Sequence, residues 1–157
     1  MTIRLTAAQA ARLTKRQGVK LTKLRPTAAT WDATVSPGRI WISIPELPPT
    51  LNEWSRQHWS VRSSEVARLS SDLTMLRLKY KIPITARPRV QVVYYFSMKR
   101  RRDPDGYTPK FLLDGLRYAG IISDDNADVL QLPQPEFRID HEKPRTEIYI
   151  TEWREKQ

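Results

Sequence analysis

RVQVVYYFSMKRRRDPDGYTPKFLLDGLRYAG, residues 89–120, is the stretch on which the fold turns. Its first nine residues, Arg89 to Ser97, are rich in valine and aromatic side chains. Such residues suit a pleated, half-buried surface, so a strand is expected over 89–97. A charged run follows. Thr108 then suits a helix N-cap, and Pro109 suits the first helical position, where a missing N–H is harmless. Leu112, Leu116 and Ala119 line one side of the segment, and Gly120 suits the left-handed residue that ends a helix. A helix is expected over 108–118. The unit is strand, charged loop, helix, and it needs further strands to complete a sheet.

Those strands are found by moving outward. Residues 39–44 (RIWISI) alternate, and residues 134–139 and 145–152 (RTEIYITE) also favour strand. Between the first strand and the opening stretch, Val66, Leu69, Leu73, Leu76 and Tyr80 recur at steps of three and four. That spacing makes one apolar stripe and predicts a long helix over about 63–80, capped by Ser63 or Ser64 and ended before Pro83 and Pro88. Residues 45–59, with three prolines, read as an irregular loop. The expected class is α+β: a single domain with a mixed β-sheet and two main helices packed on it. The compact domain is placed at 39–157. Residues 1–38 are read as a basic N-terminal arm and linker, with a short helix over 6–16 and a linker ending at Ser36-Pro37-Gly38.

Charge narrows the partners. The chain has 157 residues, net charge +10 and 39% hydrophobic residues, a composition that suits one folded domain. Residues 1–30 hold Arg4, Arg12, Lys15, Arg16, Lys20, Lys23 and Arg25 and no acid, so the remainder carries only +3. A protein this basic is expected to meet a polyanion, and nucleic acid is the leading class. There is no cysteine, which excludes disulfides, thiolate chemistry and Cys-type zinc sites. Only His58 and His141 are present, which gives poor support to a His-rich metal site or a Ser-His-Asp triad. No apolar run reaches a membrane span and no secretion signal is read, so a cytoplasmic protein without a membrane partner is expected.

The chemistry-bearing residues lie between Asp103 and Asp125. Asp103 and Asp105 stand two apart, and in extended chain such residues point to the same side. Adjacent carboxylates repel, a conflict that a hard divalent cation relieves. The helix that follows carries the chain back to Asp124-Asp125, which offers a third carboxylate. Lys110, in the first helical turn, reaches toward a phosphate beside such a metal. Three acids and a lysine on a basic surface suit phosphodiester hydrolysis. The plainer reading stands beside it. Asp-Pro-Asp-Gly is also an ordinary turn sequence, Asp124-Asp125-Asn126 also suits a solvated loop, and Lys110 and Asp114 also suit a surface i,i+4 pair.

The ordered set resembles the signature of the RusA-type Holliday-junction resolvases. Its members here are Arg100 to Arg102, Asp103, Asp105, Lys110, Asp114, Ala119-Gly120 and Asp124-Asp125. Weaker matches extend upstream to Pro48–Asn52 and downstream through Ala127-Asp128-Val129 to Glu147–Glu152, so the resemblance covers about residues 40–152. It implies a homodimeric, Mg²⁺-dependent endonuclease, with Mn²⁺ as a substitute, that resolves Holliday junctions or related branched DNA in recombination and repair. It implies Asp103, Asp105 and Asp125 as metal ligands and catalytic acids, and Lys110 as the catalytic lysine. Asp124 is the less favoured acid of its pair, and Asp114 is given a structural role. A phage origin, and hence the cytoplasm of a bacterial host, follows from the family alone.

Two departures stand out. Gly106 replaces the asparagine usual after the second Asp, and the Asp105-to-Lys110 spacing is one residue longer. Both favour an alternative, a catalytically degraded relative that binds branched DNA without cutting it. A third reading is a basic RNA-binding protein unrelated to nucleases, if the acids are scattered. Lys99, Arg100, Arg101 and Arg102 are expected to hold DNA phosphates beside the acids. Asn52 and Arg56, on the proline loop, are expected to bind DNA too. Trp54 and Trp59 are suited to stacking on unpaired bases, with at least one of them expected in the core. His58 is expected to be structural, and His141 is given no role.

Overall fold

The computed structural model describes residues 30–155. The helix expected over 6–16 lies outside them, as does most of the basic arm. Five strands form one sheet: β1 (Asp32–Ser36), β2 (Arg39–Ile44), β3 (Pro88–Phe96), β4 (Glu136–Ile139) and β5 (Arg145–Glu152). The order is β1-β2-β5-β3-β4, and every pairing is antiparallel except β3 with β4. Three helices accompany the sheet: α1 (Leu51–Arg56), α2 (Trp59–Tyr80) and α3 (Lys110–Tyr118). This is the expected α+β domain with a mixed sheet and two longer helices.

Four local readings are corrected. Residues 32–36, read as linker, form β1, so the sheet begins before Arg39. Ser36 pairs with Arg39 across Pro37-Gly38, and Gly38 adopts φ +72°. Proline followed by a left-handed glycine is the signature of a tight turn, and here it closes a hairpin. The proline loop contains α1, whose start is a capping box: Glu53 N–H donates to Thr50 Oγ1 at 3.2 Å, and Thr50 N–H donates to Glu53 Oε2 at 2.8 Å. The long helix starts at Trp59 with His58 as its cap, so Ser63 and Ser64 lie inside it. The last helix starts at Lys110, because the Thr108 hydroxyl donates to Asp105 O at 3.0 Å instead of capping.

The core lies between one sheet face and the two longer helices. Leu69, Leu73 and Leu76 of α2 and Leu112 and Leu116 of α3 are buried against Ile42, Val92, Tyr94 and Ile148. The stripe predicted on α2 is therefore the packed one, with Val66 and Tyr80 at its margins. Gly115 sets how closely the helices approach: a Cβ there would lie 2.9 Å from Leu69 Cδ2 and 3.2 Å from Leu73 Cδ1. Gly120 ends α3 at φ +73°, as expected.

Alternate residues point to the other sheet face. There Glu147 is 6% exposed and accepts from Tyr149 Oη at 2.6 Å and Arg145 Nε at 2.8 Å. Burial alone would raise the Glu147 pKa, but these two donors hold it below the usual carboxylate range. Burial, together with the bond to Glu147, pushes the Tyr149 hydroxyl up to about 12. Among the described residues, no helix is long and apolar enough to cross a membrane.

Candidate nucleic-acid interface

Phe96, at the end of β3, is buried, and the chain then emerges: residues 97–101 are exposed. Arg102 differs from its neighbours. Its guanidinium donates to Met98 O at 3.1 Å and Arg100 O at 3.2 Å, and lies 3.6 Å from the Phe96 ring centre. It staples the loop, whereas Lys99, Arg100 and Arg101 form no hydrogen bond or ion pair through their side chains among the described residues. His141 ties the same loop to the sheet through Nδ1, 2.7 Å from Ser97 O.

Asp103 is exposed and extended, at φ −93° and ψ 124°. Pro104–Tyr107 then form a short 3-10 turn, so Asp105 is not on extended chain. The same-side argument for Asp103 and Asp105 therefore fails, because a 3-10 turn advances with three residues per turn instead of two. Asp105 Oδ1 accepts the Gly106 N–H at 3.0 Å. Tyr107 anchors the turn, with its ring 5.2 Å from Phe137 and 5.4 Å from Phe96, and its carbonyl accepts from Tyr94 Oη at 3.3 Å. Burial pushes the Tyr94 pKa well up, so this hydroxyl remains a donor.

α1 packs beside this turn, and Trp54 of α1 tilts onto Phe111 of α3 at 5.0 Å. Asn52 and Arg56, both exposed, thus ride on an element adjacent to Asp105. Trp54 takes the core role expected of one tryptophan of the pair, and Trp59 is 68% exposed. Lys110 is the first residue of α3 and 64% exposed, with Nζ 3.9 Å from Asp114 Oδ1.

The acidic pair after α3 lies elsewhere. Ile121 and Ile122 are buried, and Ser123 is stitched to the segment before β3: its N–H donates to Thr85 O at 3.1 Å and its hydroxyl to Ala86 O at 2.6 Å. Asp103 follows the other end of β3. Asp125 therefore sits past the C-terminal end of α3, where its Oδ1 is 3.9 Å from Arg117 Nε. Lys110, Asp105 and Asp103 belong to the N-terminal end. At about 1.5 Å per residue, α3 alone spans roughly 12 Å. Among the described residues, no group of three or more His, Cys, Asp or Glu side chains is placed to hold a metal ion. The donors are hard oxygens of the right kind for Mg²⁺, with Asp103 and Asp105 on one exposed loop and Asp125 following α3.

Within the pair, Asp124 is structural. It accepts the Asp125 N–H at 2.7 Å and the Asn126 amide at 2.8 Å. These bonds, the Asp125 N–H foremost, hold its carboxyl below the usual range. Among the described residues, the Asp125 carboxylate has only its loose ion pair with Arg117. His58 is structural, its Nδ1 accepting the Ser60 N–H at 3.3 Å.

One concavity was missed in the sequence. A groove of about 570 Å³ runs between the first half of α2 and α3, lined by Trp54, Trp59, Arg62, Val66, Asp114 and Tyr118 among others. Its signal was available only as separate residues on two helices. No protein-family model and no curated protein matches the chain.

Proposed function

We propose that this protein acts on branched DNA as a RusA-type, Mg²⁺-dependent endonuclease, with its working surface on the connection from β3 to α3. The observation that carries the reading is the order of groups on that connection. Lys99, Arg100 and Arg101, exposed and without a side-chain partner among the described residues, are followed by the exposed acids Asp103 and Asp105 and then by exposed Lys110 at the head of a helix. Cations beside acids are what a nuclease needs to bring a polyanion against its own carboxylates. Lys110 and the free N–H groups of the α3 start are suited to a phosphate oxygen. Two copies acting together would supply the symmetric cuts a four-way junction requires.

A second reading is a binding protein that holds branched DNA without cutting it. It is favoured by Gly106 and the longer step to Lys110, and by the lack, among the described residues, of a group of three acids placed to hold a metal ion. One experiment decides. A labelled four-way junction is incubated with the full chain in Mg²⁺, in Mn²⁺ and in chelator. Metal-dependent cutting that Asp103→Asn abolishes, with binding kept, supports the nuclease. Tight junction binding with no cutting in either metal supports the second reading. Preference for single-stranded RNA over every DNA probe overturns both.

A further inference from the structure

The groove between α2 and α3 adjoins the phosphate surface described above, the link being Lys110, whose Nζ lies 3.9 Å from Asp114. Its walls are aromatic: Trp59 is 68% exposed and Tyr118 is 66% exposed, and Trp54 and Val66 also line it. Flat apolar walls of this kind match the faces of a nucleobase, and every base has such a face. Its polar lining is Arg62, Ser63, Ser70 and Asp114. Asp114 lines the groove with its side chain 19% exposed, and among the described residues its carboxylate accepts no hydrogen bond and meets only Lys110 Nζ, at 3.9 Å. A carboxylate offers about four acceptor sites, and half-buried ones are normally filled. This one is open to a donor ligand.

One cation, Arg62, lines the groove. Two more adjoin its lining residues: Lys110 pairs loosely with Asp114, and the Arg117 guanidinium, which also meets Asp125, lies 4.9 Å from the Tyr118 ring centre. A ligand with a flat face, an edge of N–H donors and an attached phosphate satisfies all three features together. We propose that this groove takes one unpaired base of DNA, stacked on Trp59 and Tyr118, with its donor edge on Asp114 and a flanking phosphate on Arg62. Guanine fits best, because its N1–H and exocyclic amine present two parallel donors to one carboxylate. Thymine offers one N–H and is disfavoured. The inference rests on the proposed DNA binding but not on cleavage.

The test uses the full chain and three short duplexes: one fully paired, one with a single bulged guanine and one with a single bulged thymine. Affinities are measured by anisotropy at fixed salt, and tryptophan fluorescence is followed in parallel. The bulged guanine is expected to bind about ten-fold tighter than the paired duplex, the scale of one stacked base. Trp59→Ala is expected to remove most of that ratio. Asp114→Asn is expected to erase the guanine-over-thymine preference, again about ten-fold, while keeping the stack. Equal binding of all three duplexes overturns the groove while leaving DNA binding intact. Failure to bind any of the three duplexes while a four-way junction is still bound overturns the groove alone, and failure to bind the junction as well overturns the proposed DNA binding. Bulge preference that survives both substitutions places the base elsewhere and refutes the assignment.

Discussion

Replacing Lys99, Arg100 and Arg101 together by alanine is expected to flatten the salt dependence of duplex or junction binding by about 2.7 in log–log slope. The figure comes from three side chains with no bond to the protein, each worth about 0.9 per phosphate neutralised. Raising salt four-fold, from about 50 to about 200 mM, should then weaken the parent about forty-fold more than the variant. Arg102 supplies the internal control. Its guanidinium is already engaged by two carbonyls and the Phe96 ring, so Arg102→Ala is expected to leave the slope unchanged. It should instead loosen the loop and lower stability by about 1–2 kcal/mol, the scale of a cation–π contact with its hydrogen bonds. The assay is fluorescence anisotropy of a labelled four-way junction across a salt series, with urea unfolding of each variant. Equal slopes for parent and triple variant would refute the reasoning, and so would an Arg102→Ala variant that flattens the slope by about 0.9.

Lys110→Ala is expected to slow single-turnover junction cleavage by about 10²–10³ with little change in affinity, as for loss of an electrostatic stabiliser, and unchanged turnover would remove Lys110 from the chemistry. A chain starting at Thr30, which spares β1, loses all seven cations of the arm; its salt slope should flatten by about 0.9 for each phosphate the arm holds, and an identical slope would show that the arm contacts none. Gly115→Ala must push a methyl into Leu69, at a cost of about 1–3 kcal/mol, against a gain of about 1 kcal/mol from removing a helical glycine. Urea unfolding should show a net loss of up to about 2 kcal/mol, whereas Gly106→Ala, with nothing within 4 Å of the new Cβ, should be near neutral. Because the Glu147 pKa is lowered in the folded state, its contribution is present above the ordinary glutamate range and is lost as pH falls through the lower folded value. Glu147→Gln should therefore cost about 1–3 kcal/mol at neutral pH and less in acid, and a difference that does not shrink with acid would disprove the assignment.

Strands β2, β3 and β5 were legible because their side chains alternate or are β-branched, and that pattern survives any tertiary context. The α2 stripe was legible for the same reason, since its three central leucines are the packed ones. β1 was not, because Ser36-Pro37-Gly38 is a turn signal whether a strand or a linker precedes it. α1 had a visible signature in Thr50 and Glu53. It went unread because three nearby prolines argue for irregular chain, although they precede the cap and leave the helix free to form. The candidate site divides along similar lines. The exposure of Lys99 to Arg101, Asp103, Asp105 and Lys110 follows from a polar loop leaving a buried strand. The place of Asp125 depends on Ser123 bonding to Thr85 and Ala86, nearly forty residues away, and no local pattern carries that. Trp59 and Tyr118 line one groove from two helices for the same kind of reason.

β5 is the last strand along the chain and the central one in the sheet. On one side it holds β2, and on the other β3. As the chain emerges from a ribosome, the β1–β2 hairpin and the β3–α3–β4 unit are both complete before residue 145 appears, yet they share no hydrogen-bonded edge. For that interval each displays an open strand edge, the kind of surface on which nascent chains stick to one another. Closure waits for eight residues that insert between two finished halves and bond to both at once. A chain cut at Asp140 would keep the residues proposed to face DNA and lose the strand that joins the two halves.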